Sequence, residues 1–186
     1  MEDHIAIRIL KQGDLSGLEH LVNRYQVQAV HAAYMIVYGR ALAEDVAQTA
    51  FVKVAERIHQ FNDEQPFEPW FFCIVMNDAI KLAKKKKRNV SLEEKLDETT
   101  GKFAEWLTDP MPRPEQMMEQ KESGQIILKA IQSLPPDQRA VITMRYFLNM
   151  NEADMSLKME RPLSTIKWWL RVARKRLSDL IAHDRS

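Results

Sequence analysis

Residues 152–177 read EADMSLKMERPLSTIKWWLRVARKRL. A short helical stretch, 152–159, is broken by Glu160-Arg161-Pro162, and a longer one starts near Leu163. Ile166, Leu170, Ala173 and Leu177 recur at offsets of 4, 3 and 4, which places them on one face of a helix. The face between them presents Ser164, Thr165, Lys167, Trp168, Arg171 and Lys175. A short helix, a tight turn and a longer helix with a polar, basic face follow the logic of a helix-turn-helix that reads the major groove. Thr165 and the helix entry can hold a phosphate, and Lys167 and Arg171 can reach guanine edges or the backbone. A basic amphipathic helix in an ordinary bundle has the same pattern.

Outward from this stretch, nearly every periodic segment is helical. Leu134 is followed by Pro135-Pro136, with an apolar run at Ile127, Leu128 and Ile131 before it and Val141–Leu148 after it. Near the start, Leu18, Leu21, Val22, Tyr25, Ala29, Ala32 and Ala33 form a stripe opened by Asp14. Val46, Ala50, Val54 and Ile58 form another, and Gly39 between the two predicts a helix stop. A further helix is expected from Pro66–Pro69 through Ile74 to Lys84, with Pro69 in its first turn. No strand pair stands out. The expected fold is all-α.

The chain has 186 residues, 45% of them apolar and 28% charged, with a net charge of +1. The near-zero total hides an asymmetry. Residues 1–88 carry 12 basic and 11 acidic side chains, 89–125 carry 4 and 9, and 126–186 carry 11 and 6. The middle segment also holds Pro110, Pro112 and Pro114, the composition of a flexible linker. Two small helical domains, 1–88 and 126–186, joined by an acidic linker at 89–125, are therefore expected. The single Cys73 excludes an intramolecular disulfide and a Cys-based zinc site, and the five His show no metal-ligand spacing. No Gly-rich phosphate loop, nucleophile–base pattern or paired metal ligands appears, so no catalysis, metal or cofactor is expected. No apolar run is long enough for membrane insertion, and a free thiol without a signal peptide suggests the cytoplasm.

Four segments together resemble the extracytoplasmic function (ECF) sigma factors. Leu134 through Val141 resembles the start of sigma region four, and Ser164 through Leu177 its recognition helix. Ala43 through Phe51 resembles the polymerase-binding helix of region two. Pro66 through Phe72, with Ile74 and Asn77, resembles the promoter-melting segment, closed by the basic run Lys84–Arg88. The resemblance implies bacterial core RNA polymerase and promoter DNA as partners, and an anti-sigma factor as regulator. It implies polymerase contact by Glu44, Asp45, Gln48 and Phe51. It implies contact with the minus-ten element by Phe67, Trp70, Phe71, Asn77, Lys81, Lys84 and Lys85, and by the loop Asn62–Pro69. It implies contact with the minus-thirty-five element by Arg161, Ser164, Thr165, Lys167, Trp168, Arg171 and Lys175. Aromatic side chains beside a cationic track are what capture of single-stranded DNA needs, although some of the crowded aromatics must be core.

The chain departs from the family pattern at several positions. Ser156 stands where a small Ala is usual, and Glu160 where a Gly is usual at the turn. Cys73 and Met76 stand where Arg is frequent. Trp168-Trp169 replaces a Ser-Arg pair. Trp168 falls on the DNA-facing side, where it can meet a thymine methyl or a neighbouring helix. Trp169 lies beside the buried stripe.

Overall fold

The computed structural model describes residues 2–89, 124 and 126–184, all in helices, turns and short connections; among these residues there is no strand. The all-α expectation therefore holds. The acidic segment 89–125 lies, apart from Asn89 and Gly124, outside the described residues.

The first module holds helices α1 (Asp3–Lys11), α2 (Ser16–Val37), α3 (Arg40–Arg57) and α4 (Phe67–Asn89). Helix α1 precedes the apolar stripe that Asp14 opens and was not expected from the sequence. This nine-residue helix lays Ala6, Ile7 and Leu10 on α2. Their approach is close because Gly17 lacks a side chain: a Cβ there would sit 2.2 Å from the Ala6 carbonyl oxygen. Asp14 does open α2, its Oδ1 accepting from the Ser16 amide at 2.8 Å. The Ser16 hydrogen bonds, backbone first and side chain second, hold the Asp14 carboxyl below its usual range.

The stop after α2 is not at Gly39. Tyr38 takes the left-handed conformation, at φ 50° and ψ 62°, while Gly39 is extended and precedes α3. Lys53 of α3 donates to both carboxylate oxygens of Asp78 on α4, at 2.6 and 2.7 Å. This ties the two helices together beside their apolar contact.

The second module begins with a helix, α5, at 126–132. It continues with α6 (Pro136–Ile142), a π-helical turn (Thr143–Phe147), α7 (Glu152–Met159) and α8 (Leu163–Asp184). Asn151 caps α7 by accepting from the Asp154 amide at 2.8 Å, satisfying one of the donors a helix start leaves open. After α7 the chain reverses through Glu160, which is left-handed at φ 52° and ψ 45°. The turn needs the backbone conformation that favours glycine, and here a glutamate adopts it. Ser156 is a working part of the same turn: its hydroxyl donates to the Arg161 carbonyl at 2.7 Å, and its own carbonyl accepts from the Arg161 amide at 3.1 Å.

The two modules share one continuous buried core. Arg139 of α6, almost fully buried, places its guanidinium 4.4 Å from the centroid of the Tyr38 ring. Burial pushes the Tyr38 phenol above its ordinary range. His31 of α2 faces Phe147 of the π turn, with ring centroids 6.5 Å apart. At the rim, Lys84 pairs with Asp137 at 2.8 Å and Lys158 donates to Gln65 at 2.9 Å.

Candidate polymerase and nucleic-acid interface

Along α3, Asp45, Gln48, Val52 and Glu56 are exposed, while Val46, Ala47, Ala50, Phe51 and Val54 are buried. The spacing follows from a helix that gives one side to α2 and α4 and the other to solvent. Glu44 sits at the edge of the outer face, held by Arg40 Nε at 2.8 Å. Phe51 does not belong to this face. It is 6% exposed and stacks on Phe71, centroids 4.7 Å apart, which removes it from direct contact with a partner. The apolar side chain that the face does present is its neighbour Val52, 57% exposed. The missed signal was helical phase: Val52 lies seven residues after Asp45 and four after Gln48, on the same side of the helix.

Along α4, Trp70, Asn77, Lys81, Lys84 and Lys85 share one side, at offsets of 7, 4, 3 and 1. Lys81, Lys84 and Lys85 are exposed, and Trp70 and Asn77 are half-buried. Phe67 and Phe71 are core: they are 4% and 0% exposed and pack with Tyr25, Phe51 and Phe72. Trp70 is the one aromatic of this run with surface to offer. Phe61 and Phe67 back it, at centroid distances of 5.0 and 5.7 Å. The loop before α4 is exposed from Asn62 to Pro66. It is braced by Lys11, which donates to the Phe61 carbonyl and to Asp63 Oδ1, both at 2.8 Å. Cys73 and Met76 are buried, so neither could contact a phosphate. Burial pushes the Cys73 thiol up to about 12, which keeps it protonated and unreactive at neutral pH.

On α8, Ile166, Leu170 and Ala173 are buried and Trp169 packs half-buried beside them. Arg161, Ser164, Lys167, Trp168, Arg171 and Lys175 are exposed, and Thr165 is half-buried at the helix entry. The structure sorts the cations of this helix into two kinds. Arg174 donates to the Tyr146 hydroxyl at 2.9 Å and Arg176 to Gln138 at 3.3 Å, so both serve the module. Lys167, Arg171 and Lys175 take no partner among the described residues. Their charge faces solvent on the side opposite the core, the arrangement a polyanion needs.

A helix-turn-helix with an exposed cationic face, joined to a helical module with a second cationic side, is an arrangement suited to binding DNA. The comparisons with known proteins narrow that reading. The sigma-70 region 2 family matches residues 21–89, and the sigma-70 region 4 family matches residues 124–177. SigW, an ECF RNA polymerase sigma factor of Bacillus subtilis, is 26% identical over 180 residues, covering 94% of this chain and 96% of its own. The ECF sigma-E factor of Escherichia coli K12 is 26% identical, covering 90% and 87%. The sigma-H factor of Pseudomonas aeruginosa is 25% identical, covering 89% and 86%. Among solved structures, CnrH in complex with the cytosolic domain of CnrY superposes with a TM-score of 0.66 at 19% identity, covering 98% of both chains. RpoE of Bartonella quintana, in complex with the anti-sigma factor NepR, gives 0.64 at 19% identity, covering 88% of this chain. The chain belongs to the sigma-70 family of RNA polymerase sigma factors, with region 2 in the first module and region 4 in the second.

Proposed function

We propose that this chain works as an ECF-type sigma factor in the cytoplasm, docking on bacterial core RNA polymerase and directing it to promoters. It contributes no bond-making step; the polymerase supplies the catalysis. The observation that carries the reading is the cationic face of α8, opposite the core and unengaged, on the second helix of a helix-turn-helix. This face lies in the major groove of the minus-thirty-five element. Lys167, Arg171 and Lys175 meet phosphates and base edges, and Ser164, Thr165 and Arg161 fix the helix entry on the backbone.

The α4 side formed by Trp70, Asn77, Lys81, Lys84 and Lys85, with the loop at Asn62–Pro69, receives the minus-ten element as its strands part. Lysines there give salt-dependent affinity without sequence information, and a half-buried tryptophan gives a displaced base a surface to stack on. The α3 face docks on core polymerase. Asp45 and Glu44 steer the encounter, and Gln48 and Val52 supply hydrogen bonding and apolar contact. Each contact is weak alone; tethering both DNA-binding modules to one enzyme makes them strong together. An anti-sigma factor that covers these faces would hold the protein inactive.

The direct test is capture of purified bacterial core polymerase by the wild type beside Asp45→Ala/Gln48→Ala and Val52→Ala. Strong capture by the wild type, lost in the double variant and reduced in Val52→Ala, is the expected result. No capture of an active core enzyme by the wild type would reject the sigma-factor role for this chain. It would leave a regulator that binds DNA without polymerase.

A further inference from the structure

Trp168 is the largest apolar side chain on the exposed side of α8, and it is 50% exposed with both modules packed together. Helical phase sets it nearly opposite the buried stripe of Ile166, Leu170 and Ala173. Its indole makes no hydrogen bond or ring contact with any described residue. Its neighbour Trp169 shows where this helix puts an indole that serves packing: half-buried, against the core. Trp168 therefore does not serve the fold. On its own side of the helix are Lys167, Arg171 and Lys175, exposed and without partners among the described residues. An aromatic ring amid three such cations suits a surface that is polyanionic at its edges and apolar at its centre. A DNA groove floor between two phosphate rails is such a surface.

The chemistry of the indole then selects the base. Its only strong hydrogen-bonding group is a donor N–H, and its ring face is a weak acceptor. The amino groups of cytosine and adenine, pressed against it, would lose their water and gain only a weak contact with the ring face, which is costly. Thymine alone presents an apolar group, its C5 methyl, on the major-groove side. We infer that Trp168 is a specificity determinant of this sigma factor, selecting thymine in the upstream promoter element through apolar contact with the C5 methyl. The inference rests on the proposed reading of DNA by α8 and deepens it.

The experiment uses holoenzyme assembled from core polymerase and the full chain, wild type, Trp168→Ala or Trp168→Leu, to select from a pool of random-sequence duplexes. The most enriched duplex is then remade with each upstream thymine replaced in turn by deoxyuridine, which removes only the methyl. For the wild type, one or two adjacent thymines should be enriched, and deoxyuridine there should weaken binding by about fourfold, the value of one buried methyl-sized group. Trp168→Ala should lose both the enrichment and the sensitivity to deoxyuridine. Trp168→Leu, still apolar, should keep a measurable part of each, which separates recognition from any effect on folding. An equal thymine preference in wild type and Trp168→Ala, or a flat deoxyuridine scan in the wild type, would overturn the inference while leaving promoter reading by α8 intact. Absence of any upstream sequence preference in the wild type would overturn that reading, and the inference with it.

Discussion

The turn of the helix-turn-helix depends on the backbone of Glu160. A left-handed residue with a Cβ costs about 1–2 kcal/mol, and glycine avoids that cost while losing more chain entropy on folding. Glu160→Gly should therefore stabilise the second module by up to about 1 kcal/mol in urea denaturation, the balance of those two effects. The Ser156 hydroxyl, bonded to the Arg161 carbonyl at 2.7 Å, helps hold the strained turn. The Ser156 and Glu160 departures from the family pattern thus act on a single turn. The glutamate's strain was legible in the sequence, because the position calls for glycine. The compensating serine bond was not, because the bond depends on how tightly the chain folds back.

At the scale of elements, helical phase decided most of what could be read and most of what was misread. The apolar stripe of α8 was visible in the spacing of Ile166, Leu170, Ala173 and Leu177; the first three are buried and Leu177 packs half-buried against the same core. On α3 the same rule, applied strictly, separates Phe51 from Asp45 and Gln48 and gives the outer face to Val52. The resemblance to the family drew Phe51 onto the docking face; the packing of Phe71 against it takes it away. Helix α1 was missed because nine residues offer little more than two turns of pattern. Its dependence on Gly17 is testable. A Cβ at that position meets backbone atoms of Ala6 and Leu10, which cannot swing aside as a flexible side chain would. Gly17→Ala should cost about 1–3 kcal/mol through overpacking, seen as a lower thermal midpoint.

For the whole molecule, the consequence of the shared core is that the two modules are not independent in this structure. Arg139 over Tyr38 and His31 facing Phe147 lie where they meet, and Lys84 is engaged by Asp137. One lysine of the proposed strand-contact track is thus occupied by the partner module. Burial lowers the His31 pKa, so the folded chain keeps this ring neutral. Below the ordinary histidine range, about 6.5, the unfolded chain takes up a proton that the folded chain resists. The stability tied to His31 is therefore complete above that range and falls as the pH drops below it. Thermal midpoints measured from about pH 7.5 to 5 should decline on the acid side, and His31→Leu should flatten that decline.

The sequence by itself determined the all-α class, the helix-turn-helix, the basic face of α8 and the family, because each is written in local spacing and residue type. Helical periodicity and charge need no knowledge of what lies across the core. Only the tertiary structure decided which aromatics face inward, which cations are already engaged and how the modules meet. Trp70 keeps a surface while Phe67 and Phe71 do not, and Arg174 is bound while Arg171 is not. Those outcomes depend on neighbours distant in the chain, such as Tyr25, Phe51 and Tyr146. Burial and pairing are properties of contacts between segments, and no window of sequence contains both sides of such a contact.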